Sequence, residues 1–206
     1  MQIKKKILDN SGRQEEIRMS KPILVLAIFL ACYITLVFPL SSYSRDARIT
    51  DILVTNDTLH VTVYAKVTNC FTKKMESAIL AGVPTTFTFL LELYKERKGW
   101  FDKKITGMDI KQTIKYDNVK KIFYVSSTGI QQPASFQDFE SAKKTMSELN
   151  GAVVASVNDL QKGETYYVKI KVKLDKVHLP MNMEYVLFFI SLWDFETDWH
   201  RQKLVY

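Results

Sequence analysis

The chain has 206 residues, of which 12% are aromatic, and a formal charge of +7. That aromatic content, with only 7 Gly and 5 Pro, excludes a disordered, collagen-like or low-complexity protein, and no internal repeat is present. Residues 1–40 hold six basic and three acidic residues, so the rest carries only a mild basic excess, and it is spread out rather than gathered in the stripe a nucleic-acid binder shows.

Residues 1–21 are polar and basic. Residues 22–40 (PILVLAIFLACYITLVFPL) are free of charge and just long enough to cross a bilayer as a helix. A cleaved signal peptide is the competing reading. The long basic lead and the poor small-x-small site, Ser42-x-Ser44 at best, favour an uncleaved anchor. The basic residues precede the span closely, while Arg45 and Arg48 after it are balanced by Asp46 and Asp51. The positive-inside rule then gives a cytoplasmic tail 1–21, an anchor 22–40, a linker 41–48 and an extracytoplasmic domain 49–206. The expected location is the cytoplasmic membrane, single-pass, with the bilayer as first partner.

Cys32 lies inside the apolar run, which leaves Cys70 alone in the folded part with no intramolecular disulfide partner. The pattern beyond the linker is β. Ile49–Thr55 and Leu59–Val67 alternate apolar and polar around an Asn56-Asp57 turn. Thr72–Ala81 reads as a short helix, with Thr72 as its cap, Met75, Ala78 and Ile79 on one face, and Gly82 as its stop. The next strand, 84–97, puts Phe87, Phe89, Leu91 and Leu93 on one side. Lys98-Gly99 turns the chain into a strand over Ile105–Tyr116. Asp117-Asn118 turns it again into Lys121–Ser127.

After a loop at Gly129–Pro133, the spacing predicts a helix over Ser135–Leu149, ended by Asn150-Gly151. Glu164–Lys173 alternates cleanly, with Tyr166, Val168, Ile170 and Val172 inward and Lys169, Lys171 and Lys173 outward. Glu184–Trp199 is expected as the last strand, or as two strands with a kink, with Trp193, Phe195 and Trp199 inward. The fold class is mainly β, an antiparallel β-sandwich-like domain with two inserted helices. A single twisted sheet backed by those helices is the alternative.

Several motifs in order resemble one bacterial family, the domain-of-unknown-function family 4390. They are Ala78-Ile-Leu-Ala-Gly82-Val-Pro84, Trp100-Phe-Asp102, Ile114-Lys-Tyr116-Asp117, Phe123-Tyr124-Val125 and Tyr166-Tyr-Val168. Leu174-Asp175, Leu179-Pro180 and the closing Trp193…Thr197-Asp-Trp199 complete the set. The resemblance covers about 49–205. It implies an exported or membrane-anchored protein and supplies no catalytic residue.

Candidate sites are few. His60, His178 and His200 share no metal-ligand spacing, and no nucleophile-elbow, Walker or dinucleotide-binding glycine pattern occurs. No catalytic residue, metal or cofactor is assigned. Cys70 with a histidine would make a nucleophile pair, although a lone cysteine before a helix is usually a bystander. Asp194, Glu196, Asp198 and His200 fall on one face of a regular strand and would suit a divalent cation; the plainer reading is a solvated strand face. The tip Lys98, Trp100, Phe101, Lys103 and Lys104 has the composition of a recognition surface, with at most one of its two aromatics able to reach the core. The expected function is a non-enzymatic, membrane-anchored extracytoplasmic interaction domain with a protein partner in the envelope. It would be accessory to an envelope or signalling complex. A small-ligand sensor or carrier with an apolar pocket is the alternative, and an envelope hydrolase ranks last.

Overall fold

The computed structural model describes residues 47–175 and 195–204. The tail and anchor assigned to 1–40, most of the linker, His178, Trp193, Asp194 and the Glu184–Asp194 part of the last expected strand lie outside the described residues. Among the described residues, no helix is long and apolar enough to cross a membrane.

Strands β1 (Arg48–Asn56), β2 (His60–Thr68) and β7 (Glu148–Ser156) form a three-stranded antiparallel sheet in the order β1-β2-β7. A six-stranded antiparallel sheet runs β6-β5-β4-β3-β8-β9. It is built from β3 (Thr85–Lys95), β4 (Lys103–Asp117), β5 (Ile122–Ser127), β6 (Ala134–Phe136), β8 (Tyr166–Leu174) and β9 (His200–Leu204). Apolar faces of both sheets meet in one core, so the two-sheet expectation holds over the single sheet. β3 is central because its alternation is strict. Phe87, Phe89, Leu91 and Leu93 are fully buried, and they pair laterally with Leu174, Val172, Ile170 and Val168 of β8. Burying each such side chain is worth about 1.5–3 kcal/mol.

Two helices close the core. Helix α1 (Lys73–Leu80) starts where the Thr72 hydroxyl accepts the Met75 N–H at 3.2 Å, and it buries Met75, Ala78 and Ile79. It stops before Gly82, whose φ of +90° suits glycine and where a Cβ would meet Asn118 Nδ2 at 2.9 Å. Helix α2 (Phe139–Ser147) is capped by Asp138, whose carboxylate accepts the Ser141 N–H at 2.7 Å. Its Phe139 ring stacks on Phe123 of β5 at 5.0 Å. The Lys143 ammonium ties α2 to α1 through Glu76 at 2.6 Å.

Three expectations are corrected. The second helix is shorter than 135–149. Phe136 pairs with Phe123 in β6, so Asp138 caps the helix and Ser135 does not, and Leu149 already lies in β7. Strand β7 was hidden by Asn150-Gly151, a turn signal that here makes a bulge. Leu149 to Ala152 advances three residues while Ala65 to Val63 on β2 advances two, and Gly151 takes up the extra one at φ +76°. The last strand begins at His200 and does not end at Trp199. Residues 195–199 are irregular, held by one Glu196–Lys173 bridge and by Thr197, which bonds Val172 in both directions. Phe195 points inward onto Phe87 at 5.1 Å as expected, but Trp199 is 41% exposed and sits beneath the Lys171 ammonium.

Candidate interaction surface

The β3–β4 hairpin carries the tip. Its base is braced on the outer face of the large sheet. Asp102 accepts the Arg97 N–H at 3.0 Å and the Tyr167 hydroxyl at 2.7 Å. The Tyr167 hydrogen bond, then that of Arg97, holds the Asp102 carboxyl below its usual range. Burial, reinforced by Asp102, pushes the Tyr167 phenol up to about 12. Tyr167 stacks on Tyr94 at 5.4 Å, and the Arg201 guanidinium covers its ring at 3.6 Å while pairing with Glu96 at 2.8 Å. Lys95 binds Glu164 at 3.0 Å and Gln161 at 2.8 Å.

Beyond this brace the chain reverses at Gly99, with φ +75°. Trp100 and Phe101 project past it, 73% and 88% exposed, with ring centroids 6.4 Å apart in an edge-to-face pair. The sequence allows one of them to reach the core; the structure buries neither. The Asp102 tether pins the chain just after Phe101, so both rings stay outside the sheet. Lys98 and Lys103 are exposed beside them, as is Arg97, which was not among the candidate contact residues named from the sequence. Lys104 lies apart. Its ammonium pairs with Glu92 on the sheet face and is the main cause that lowers the Glu92 carboxyl. Gly107 makes room for that reach, since a Cβ there would stand 2.8 Å from Lys104 Cε. A lone glycine inside a strand is the signal that marked this close approach.

The carboxylate set does not converge where it is described. Glu196 pairs with Lys171, which lowers its carboxyl, while Asp198 is exposed and His200 begins β9. Among the described residues, no group of three or more His, Cys, Asp or Glu side chains gathers to hold a metal. Cys70 is buried, and burial pushes its thiol up to about 12, far from a reactive thiolate.

The described residues thus form a mainly-β domain of two antiparallel sheets, and the most exposed aromatics among them, Trp100 and Phe101, sit together on one hairpin tip. The chain belongs to the family described as Domain of unknown function (DUF4390), which it matches over residues 44–203. No curated protein and no solved structure matches it.

Proposed function

We propose that this protein is a non-enzymatic interaction domain, carried outside the cytoplasmic membrane by residues 22–40, that grips a protein partner in the envelope through the β3–β4 tip. The observation that carries this reading is the exposed Trp100–Phe101 pair on a braced base. Two large aromatics in water forgo the burial that usually holds such side chains inside. A hairpin fixed by Asp102, Tyr167 and Arg201 presents them in one geometry, which lowers the ordering cost of binding. Trp and Arg at the centre of a contact are the residues that dominate binding energy. The charge-free run at 22–40 and the basic residues before it support the anchor and its orientation.

The test is site-specific photo-crosslinking in membranes with the full chain. A photoreactive residue at position 100 or 101 should give one discrete adduct, and one at Lys120, on a different turn, should not. Trp100→Ala with Phe101→Ala should weaken association at least about tenfold, or 1.4 kcal/mol. The same pair should leave stability within about 0.5 kcal/mol per site, as surface changes usually do. Equal adducts at all three positions, or association unchanged while stability collapses, would refute the role of the tip.

A further inference from the structure

The hairpin tip is one wall of a groove of about 890 Å³, and the turn 163–165 that leads into β8 is the other. The two walls are joined at their base, where the Glu96 N–H donates to the Thr165 carbonyl at 2.9 Å. Trp100, Arg97 and Lys98 lie in the lining, and all three are exposed.

The charges around this groove do not balance. Glu96 and Glu164 line it too, but each already has a cation: Arg201 meets Glu96 at 2.8 Å and Lys95 meets Glu164 at 3.0 Å. Asp102, at the base of the tip, is taken up by the Tyr167 hydroxyl and the Arg97 N–H. Arg97, Lys98 and Lys103 of the hairpin and Lys162, next to the lining Gly163, are exposed and make no ion pair among the described residues. The acids are paired off and the surplus is positive. Lys98 and Arg97 precede Trp100 by two and three residues, so their backbones stand within roughly 11 Å of it. That is close to the Debye length of about 8 Å, so a charge brought to the Trp100 ring feels them.

We propose that the part of the partner received by this groove is an acidic peptide segment carrying a large apolar side chain. Its carboxylates meet Arg97 and Lys98, Arg97 being able to hold one through two parallel hydrogen bonds, while the apolar side chain covers Trp100. A basic segment would find only acids that are already neutralised. A bilayer surface is flat and cannot enter between the tip and the turn, whereas a protruding segment can. The proposal rests on the reading of the tip as the partner-binding surface and adds the chemistry of what binds there.

The test selects random short peptides displayed on phage against the full chain in nanodiscs of zwitterionic lipid, with empty nanodiscs as the counter-selection. Peptides with Asp or Glu beside a large apolar residue should be enriched. The strongest of them, synthesised and followed by fluorescence anisotropy, should bind at least tenfold more weakly to the Arg97→Gln, Lys98→Gln chain and at least fivefold more weakly to Trp100→Ala. Lys120→Gln, which removes an exposed cation on a different turn, should change nothing. Raising the ionic strength from 0.15 M to 1 M, which shortens the Debye length from about 8 Å to about 3 Å, should weaken binding at least fivefold. Arg97→Glu with Lys98→Glu should draw basic peptides from the same library. No enrichment, enrichment of uncharged or basic peptides by the unaltered chain, or indifference to Arg97→Gln with Lys98→Gln overturns the proposal. So does recruitment of vesicles containing anionic lipid that the same pair abolishes, which would assign these cations to headgroups. If position 100 still crosslinks one partner in membranes while the peptide result fails, the tip reading stands and the acidic partner alone falls; if both fail, both fall.

Discussion

Phe89→Ala is the sharpest probe of the core. Phe89 is fully buried at the middle of β3, opposite Ile110 on β4 and Val172 on β8. Neighbours on both lateral sides are held in their own ladders and can collapse only partly into the space left behind. A Phe→Ala change in such a site costs about 3–5 kcal/mol, from lost burial plus the residual cavity. With a urea slope of roughly 2 kcal/mol per molar, the unfolding midpoint should fall by about 1.5–2.5 M. Pulse proteolysis of the full chain in urea reads that midpoint without removing the N-terminal residues. Leu90→Ala is the internal control. Leu90 is one residue along and faces the other side, where it is only half-buried, so its midpoint should move much less. A one-residue register slip would exchange the two results. A Phe89→Ala shift below about 0.5 M, or a Leu90→Ala shift as large as that of Phe89→Ala, would refute the face assignment.

Three smaller outcomes follow from the titrating groups. Asp102→Asn removes the carboxylate that, after burial, does most to raise the Tyr167 phenol, so its titration, followed by ultraviolet absorbance, should drop from about 12 towards its ordinary value of 10.0; no drop would mean that Asp102 has no part in the shift. Because the Asp102 carboxyl is lowered from 3.8, its bracing of the tip is complete above that pH and is lost as pH falls through the lower folded value; amide exchange at Arg97 should quicken there, and an exchange rate that follows intrinsic chemistry alone across that range would contradict the brace. In a Cys32→Ser background the thiol of Cys70, pushed up to about 12, should resist maleimide at pH 8 until the domain is unfolded, and full labelling of the native protein within minutes would refute its burial.

The sequence made the large sheet readable because its strands alternate in step with a half-buried pleat. Phe87 to Leu93 and Tyr166 to Leu174 needed only a period of two. The first helix was readable through its Thr72 cap; the second showed its apolar face, but the spacing put its start at Ser135, ahead of the Asp138 cap. Strand β7 was not, for two reasons. Asn150-Gly151 carries the strongest short turn signal, and only the register against β2 shows that it serves as a bulge. The bulge also breaks the alternation, so Ala152, Val154 and Ala155 are buried out of phase. Of the tip, composition revealed the residue types, but not that both aromatics stay in solvent. That outcome depends on Asp102 reaching Tyr167, 65 positions away. The groove beside the tip had no linear signal at all, since its two walls come from the β3–β4 hairpin and the turn before β8.

Where the tip stands in the domain bears on what it can touch. Arg48, the first residue of β1, pairs with Thr68, and three residues later the Phe71 ring lies 5.3 Å from Phe87, near the start of β3. The tip follows the other end of β3, where Lys95 meets Gln161 at 2.8 Å. From Phe87 to Lys95 the strand covers about 26 Å at roughly 3.3 Å per residue, and Trp100 extends beyond it. The chain therefore enters this domain at one pole and presents its aromatic pair at the opposite one. An aromatic pair within a cationic rim would also suit anionic headgroups, and a lipid-composition series separates that partner from the protein partner proposed above. Crosslinking from position 100 should be unchanged when anionic lipid in the host membrane is replaced by zwitterionic lipid. Loss of the adduct in proportion to anionic lipid would return the tip to the membrane surface.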